Sequence, residues 1–243
     1  MIPRFFAPAA STTGSVVDLP AEEAAHLVRV LRLRKGASIC AFDGRGHEWR
    51  AEVEETGGRR VSIRLVEDVM PAPEPGVRIV LSVALLKGDK MDDVVRDAVM
   101  LGVSAVRPVV SRRVVGPGTR AVGEARRARW QRIAVSSAKQ CGRAVVPEIL
   151  PASALSALLT GQSGRKRLAL MEPESAGGTR RIVEVPRSDD VELVVGPEGG
   201  WAADEAEQLA ATCQLVTMGS QTLRADAVPL IAITALRVAW DDF

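Results

Sequence analysis

The feature that most constrains this 243-residue sequence is an alternation of apolar strands and helical segments from residue 78 to residue 240. Residues 78–86 form a nearly continuous apolar run, which is typical of a strand buried in a parallel sheet. Residues 89–101 show helical spacing that begins at an acid and ends before Gly102. Further strands are predicted at 105–110, 167–171, 191–195 and 214–218, and further helices at 125–140, 152–159, 203–212 and 227–240. This order predicts an α/β domain whose parallel sheet is covered on both faces.

The last predicted helix, 227–240, is apolar nearly all round. Such a helix is expected to be buried, either in the core or against a second subunit. We therefore expect a homodimer.

The first 70 residues follow a different pattern, in which short alternating strands are separated by glycine turns. This pattern predicts a small β-barrel. Residues 20–33 interrupt it with a predicted amphipathic helix. The apolar face of that helix carries Leu27, Val30 and Leu31, and its other face carries Arg29, Arg32 and Arg34.

A proline-rich segment separates the two patterns. Residues 71–76 contain three prolines, which predicts a stiff, extended linker. The predicted domains are therefore a β-rich domain at 1–70 and an α/β domain at 77–243.

Composition narrows the classes of function. The two histidines and three scattered cysteines make a zinc site or a disulfide framework unexpected, and no metal is required. No run is long and apolar enough to span a bilayer, so the expected location is the cytoplasm. Between residues 107 and 143 there are ten Arg or Lys and a single acid, Glu124. Such a stretch suits a phosphate backbone, although on this run alone a solvated helix face is favoured.

The sharpest local motif follows the strand at 191–195. Residues 196–200 read Gly-Pro-Glu-Gly-Gly, and their three glycines would let a ligand approach the backbone. The carboxyl end of a parallel strand is also where α/β sheets bind ligands. A tight strand-to-helix turn is the alternative, and three glycines around a Pro-Glu pair favour a binding site over it.

A second loop, residues 218–226, also lies between a strand and an apolar helix. It carries Arg224 and Asp226, and charges in such a place are costly unless they are paired or used. Alone, this loop is explained equally well by a structural ion pair with an N-cap at Asp226. There is no P-loop motif, and Asp43-Gly44-Arg45-Gly46 reads as a hairpin turn. Cys141 could be a nucleophile, but a small buried residue is the favoured reading because no histidine lies nearby in sequence.

The two loops together resemble the SPOUT superfamily, and specifically the bacterial small-subunit ribosomal RNA uridine-N3 methyltransferases (RsmE type). Further matches to that family stand in order along the chain, at 4–6, 26–32 leading into 43–44, 87–92 with 101–103, and 139–147. The resemblance implies a PUA-like N-terminal barrel, a SPOUT domain with a trefoil knot, a homodimer and S-adenosylmethionine as the cofactor.

The resemblance also implies site residues. The implied cofactor contacts are Leu170, Met171, Gly196, Pro197, Glu198, Gly199, Gly200, Met218, Gly219, Ser220, Thr222, Leu223 and Arg224. The predicted RNA contacts are Arg4, Arg29, Arg32, Arg34, Lys87, Lys90, Arg112, Lys139, Gln140 and Arg143. The second loop departs from the family pattern at six positions, Met218, Gln221, Thr222, Asp226, Ala227 and Val228.

The expected reaction requires uridine N3 to lose its proton before it accepts a methyl group. Arg224 is predicted to stabilise the negative charge that spreads onto the uracil oxygens. The base is predicted to be Asp226, Glu198 or solvent. Two alternatives stay open: the same fold acting on another RNA site, such as a tRNA ribose 2′-hydroxyl, and an inactive RNA-binding or ribosome-assembly factor.

Overall fold

A computed structural model describes residues 2–57, 60–113, 123–161, 163–173 and 178–243. The chain forms two compact units. The first comprises Met1–Glu74 with Val135–Val146, and the second comprises Pro75–Ala134 with Pro147–Phe243. The division between residues 74 and 75 falls within the predicted linker. The segment Val135–Val146, which the sequence placed in the second domain, instead packs with the first unit.

The first unit contains a five-stranded mixed sheet in the order β1-β3-β4-β5-β2. Strand β1 pairs parallel to β3, and the other neighbours are antiparallel. The strands are β1 (Arg4–Phe6), β2 (Val16–Asp18), β3 (Ser38–Phe42), β4 (Glu48–Gly57) and β5 (Arg60–Val69). Alternating positions of β4 and β5 are buried, so one face of the sheet packs on the core.

The helix predicted at 20–33 is shorter and irregular. An α-helix, α1 (Ala21–Ala25), is followed by a π-helical turn over His26–Val30. The backbone N–H of Leu31 donates to the carbonyl of His26, five residues earlier, so positions after 26 leave the 3.6-residue period. The predicted apolar face is therefore wrong in part: Leu27 is buried, but Val30 is 66% exposed and Leu31 is also exposed.

The second unit is built on a parallel sheet in the order β11-β13-β10-β12-β6-β7-β8, with β9 pairing to β7. The strands are β6 (Arg78–Ala84), β7 (Ala105–Val110), β8 (Glu148–Ile149), β9 (Ser153–Ala154), β10 (Lys166–Leu170), β11 (Arg180–Arg181), β12 (Asp190–Val195) and β13 (Gln214–Thr217). The five consecutive residues from Val191 to Val195 are all buried. Because neighbouring residues of a strand point to opposite faces, both faces of the sheet are covered, as predicted.

The helices of the second unit are α2 (Lys90–Met100), α3 (Glu124–Cys141), α4 (Leu155–Thr160), α5 (Ala203–Thr212) and α6 (Val228–Ala239), and the last residues of α3 belong to the first unit. Helices α4 and α5 share one apolar cluster with β7, β10 and β12. Helix α6 contacts α2 and β6. No helix in the described part of the chain is long and apolar enough to cross a membrane.

Helix α6 is only partly buried in the chain. Its inner face includes Ile233 and Leu236, whereas Ile231 and Val238 are exposed, the latter by 66%. The one charge in its last turn, Arg237, is fully buried. Its guanidinium donates to the carboxylate of Asp242 and to the carbonyls of residues 77 and 102, so the charge is paired inside the unit.

Candidate functional site

A cavity of about 270 Å³ lies where the loops after β10, β12 and β13 meet. It is lined by residues 170–173, 195–198, 200–201, 217–219, 221–226 and 228, together with Lys90 from the first turn of α2. The three strands are neighbours in a parallel sheet, so their carboxyl ends share one edge. The structure therefore brings the two loops that the sequence singled out into one site.

All the predicted cofactor contacts line this cavity except Gly199 and Ser220. The carbonyl of Gly199 accepts a hydrogen bond of 2.8 Å from the Nη1 atom of Arg113. Gly199 therefore anchors the loop from outside the cavity. The neighbouring Gly200 lines the cavity with a φ of +67°, a conformation that L side chains rarely adopt.

Sequence reasoning missed Trp201, which follows the glycine loop directly. Its indole Nε1 donates to the carbonyl of Leu170 at 3.2 Å. A Cβ on Gly196 would lie 3.0 Å from Cε2 of the same ring. The indole thus occupies the space that the absent side chain leaves and forms part of the cavity wall. An aromatic residue immediately after a glycine loop was the signal that could have identified it.

Glu198 and Lys90 form an ion pair at the cavity. The ammonium Nζ of Lys90 lies 3.0 Å from Oε1 of Glu198, and the backbone N–H of Lys87 donates to the same oxygen at 3.3 Å. Burial favours the neutral acid, but these hydrogen bonds outweigh it and hold the pKa of Glu198 below its ordinary 4.5. Glu198 is therefore an ionised carboxylate near neutral pH and a weak proton acceptor.

Arg224 lines the cavity, as the resemblance implied. Its side chain is 78% exposed and pairs with Asp226, the ion pair that the sequence offered as the structural explanation of this loop. Nε and Nη2 donate to the two carboxylate oxygens of Asp226 at 3.1 and 2.5 Å. The side chain of Arg224 is exposed because α6 begins only at Val228, so that Arg224 lies in the loop before the helix, at the edge of the cavity.

Asp226 is correspondingly ionised. The hydrogen bond from Arg224 is the largest influence and lowers the pKa of this carboxyl below its ordinary 3.8, against the smaller opposing effect of burial. The charge of Lys90 acts in the same direction. Both predicted bases, Glu198 and Asp226, are therefore committed to ion pairs.

Three of the predicted RNA contacts are paired inside the first unit. Arg4 lies 2.6 Å from Glu48, Lys139 lies 2.8 Å from Glu23, and Arg143 lies 2.5 Å from Glu74. Each of these cations is largely buried. Because a carboxylate holds each of these cations away from solvent, the prediction that they contact phosphates is corrected. Arg4 also donates to the carbonyls of residues 138 and 139, which joins the end of α3 to the mixed sheet.

The other predicted RNA contacts differ in their surroundings. Lys90 lies at the cavity, and Arg112 forms an exposed ion pair of 3.1 Å with Asp204. The rest are exposed, namely Arg29, Arg32, Arg34, Lys87 and Gln140. That these exposed residues contact RNA remains a prediction.

Other candidate chemistry lies away from the cavity. Cys141 belongs to the first unit and is absent from the cavity lining, which removes it as a nucleophile there. Within the described ranges, no group of three His, Cys, Asp or Glu side chains could hold a metal ion.

Two family models match this chain. An RNA methyltransferase domain matches residues 73–237, and an RNA methyltransferase PUA domain matches residues 19–66. The first match covers most of the second unit and more than half of the chain.

Relatives match over nearly the full length. Ribosomal RNA small subunit methyltransferase E from Mycobacterium bovis is 30% identical, over 98% of this chain and 93% of its own. The protein of the same name from Bacillus subtilis is 28% identical, over 95% of this chain and 90% of its own. A crystal structure of ribosomal RNA small subunit methyltransferase E from Neisseria gonorrhoeae, bound to S-adenosyl methionine, is 33% identical, has a TM-score of 0.88, and covers 99% of this chain and 98% of that one.

A SPOUT domain with a ligand cavity at the carboxyl edge of its parallel sheet, preceded by a PUA-like domain, defines the class of this protein as an RNA methyltransferase. Within that class the chain belongs to the ribosomal RNA small subunit methyltransferase E family.

Proposed function

We propose that this protein transfers a methyl group from S-adenosylmethionine to N3 of a uridine in the RNA of the small ribosomal subunit. The observation that carries the proposal is the convergence of the two glycine-containing loops on one cavity. The relative from Neisseria gonorrhoeae, whose structure holds S-adenosyl methionine, supports the choice of cofactor.

The cavity residues fit this cofactor. Leu170, Met171 and Leu223 supply apolar surface for an adenine ring. Gly200 lines the cavity with a φ of +67°, which an L side chain rarely adopts, so the backbone at this position favours glycine. When bound, the cofactor supplies an electrophilic methyl group.

The protein's own contribution is alignment and charge. Uridine N3 must lose its proton before its lone pair can attack, and both carboxylates at the cavity have lowered pKa values. We therefore assign the proton to solvent, one of the three acceptors considered above. Glu198 and Asp226 hold cations at the cavity mouth, and a cation there can stabilise the negative uracil.

We also propose that the enzyme is a homodimer. The exposed large apolar residues of α6 are Ile231 and Val238, which lie two helical turns apart on one face that a second copy would cover. Methylation of ribosomal RNA further implies that the protein acts in the cytoplasm. The trefoil knot stays a prediction for the second unit.

The proposal is tested by incubating the protein with labelled S-adenosylmethionine and small ribosomal subunits from cells that lack this modification. We expect one labelled nucleoside, 3-methyluridine, when the RNA is digested and separated. A labelled ribose 2′-O-methyl nucleoside, or label only in transfer RNA, would replace this substrate with another RNA site.

Calorimetry with S-adenosylmethionine separates the remaining alternative. An inactive assembly factor would bind ribosomal subunits but show no cofactor affinity, in spite of the cavity. The departures at Gln221 and Asp226 make this comparison informative, because the second loop is where the sequence differs from its family.

A further inference from the structure

Among the described residues that line the cavity, the cationic side chains are Lys90 and Arg224. They differ in how they are used. Arg224 is mostly exposed, and its fork is engaged by both oxygens of Asp226. At 78% exposure the guanidinium is largely surrounded by solvent, which weakens its interaction with a charge inside the cavity.

Lys90 is more enclosed than Arg224. Its side chain is 38% exposed, and among the described residues its one hydrogen bond is to Oε1 of Glu198, at 3.0 Å. An ammonium group has three N–H donors, so two remain for a ligand. The backbone N–H of Lys87 fixes the same carboxylate, which holds the Lys90 ammonium in place at the cavity.

We propose that Lys90 is a catalytic residue that contacts the target uracil and stabilises the negative charge that forms when N3 loses its proton. This assignment rests on the proposed function. It gives Lys90 the role predicted from the sequence for Arg224. Glu198 acts as a positioning residue that aims the ammonium group.

Hydroxide or water removes the N3 proton, and the negative charge spreads over N3 and the uracil oxygens O2 and O4. N3 then forms its bond to the methyl carbon while the carbon–sulfur bond breaks, and that electron pair stays on sulfur, which becomes a neutral thioether. A fixed ammonium favours the anion before and during attack, which is where a preorganised charge is most effective.

The experiment must separate a catalytic role of Lys90 from a role in which it only neutralises a neighbouring carboxylate. Glu198 pairs with it, and Asp226, Arg224 and Glu172 also line the cavity. If Lys90 only neutralised Glu198, then Lys90→Met and Glu198→Gln would have the same effect. That effect would be a lower melting temperature or weaker cofactor binding, with a normal rate at saturating cofactor.

The experiment measures single-turnover methylation, cofactor affinity and melting temperature on Lys90→Met, Lys90→Arg and Glu198→Gln. Arg96→Met is the matched control, because it removes another α2 cation that pairs with carboxylates but does not line the cavity. We expect Lys90→Met to lower the rate by about 10²–10³-fold, the scale for one preorganised donor. Lys90→Arg should retain part of the rate, and cofactor affinity should change by less than about threefold, because the charge develops only during the reaction.

The pH dependence of the methylation rate would not change if Lys90 had only a structural role. The wild-type rate should rise with pH and level off at the pKa of the bound uridine. For Lys90→Met the plateau should move to higher pH. Ribosomal RNA that contains 5-fluorouridine, whose N3 proton is more acidic, should restore much of the rate of Lys90→Met and leave Arg96→Met unchanged.

The outcomes distinguish the two proposals. If the wild type makes no 3-methyluridine, the proposed function fails regardless of the variants. If the wild type makes it and Lys90→Met reacts at the wild-type rate, or 5-fluorouridine gives no selective rescue, the role of Lys90 is overturned while the proposed function stands.

Discussion

Gly199 and Gly200 are adjacent, and the structure predicts opposite outcomes when each is replaced by alanine. Gly200 has a φ of +67°, and its added Cβ would lie 2.8 Å from Oε1 of Glu172. Gly199 has no positive φ, and its added Cβ would lie 3.5 Å from Cβ of Arg113, an ordinary contact. We therefore expect Gly199→Ala to be tolerated and Gly200→Ala to be destabilising.

The magnitude follows from comparing the two variants with each other. Removing a glycine stiffens the unfolded chain, which stabilises a protein by about 0.4–1 kcal/mol, and this effect is shared by both variants. The left-handed conformation costs an L residue roughly 1–2 kcal/mol, and only Gly200→Ala bears this cost. The carboxylate of Glu172 is the end of a flexible side chain and can rotate away, so the backbone dominates. The difference corresponds to about 2–8 °C in melting temperature for a chain of this size.

The assay is thermal unfolding of both variants, with cofactor titration by calorimetry on the same preparations. Gly200→Ala should also weaken cofactor binding, because this residue lines the cavity and Gly199 does not. Repeating Gly200→Ala in a Glu172→Ala background removes the contact but not the backbone strain, so most of the difference should persist. Equal melting temperatures for the two alanine variants would refute the reasoning from φ.

Three further outcomes are expected. Burial and the neighbouring Glu48 raise the pKa of Cys40 to about 12, so iodoacetamide should alkylate Cys40 in the unfolded protein and hardly at all in the folded one, as read by mass spectrometry. The pKa of Glu198 is lowered in the folded state, so its stabilising effect is complete above about pH 4.5 and is lost as the pH falls through the folded value; Glu198→Gln should flatten this part of the melting-temperature profile. Neutralising Arg29 and Arg32 should lower the salt dependence of RNA binding by roughly one unit each, whereas Arg4→Met should mainly lower stability.

The location of the site could be predicted from the sequence because it depends on local patterns and one general rule. Each glycine-containing loop follows a strand that can be recognised from its own apolar run, and the carboxyl ends of parallel strands lie at a common edge of the sheet. The sequence singled out the loops at 196–200 and 218–226 one by one, the resemblance assigned both to one cofactor site, and both contribute to the cavity.

The ion pair between Arg224 and Asp226 was one explanation that the sequence offered, because these residues are two apart. Ion-pair partners that lie far apart along the chain could not be predicted. Lys90 and Glu198 are 108 residues apart, and Lys139 and Glu23 are 116 apart. Nothing in the local sequence around either lysine shows which carboxylate the fold will bring to it. The irregular turn after residue 25 was hidden for a different reason, because a π-helical turn displaces the hydrophobic period that identifies a helix.

These pairings change where RNA contacts are expected. Half of the ten predicted contacts have carboxylate partners, namely Arg4, Lys90, Arg112, Lys139 and Arg143. A paired cation gives up much of its attraction for a phosphate. The basic stretch at 107–143 therefore contributes less to an RNA surface than its composition indicates. Within the described ranges, the arginines at 29, 32 and 34 are exposed and have no carboxylate partner, and two of them flank apolar side chains that are also exposed. Because this segment lies inside the match to the PUA domain model, the strongest phosphate contacts are expected there.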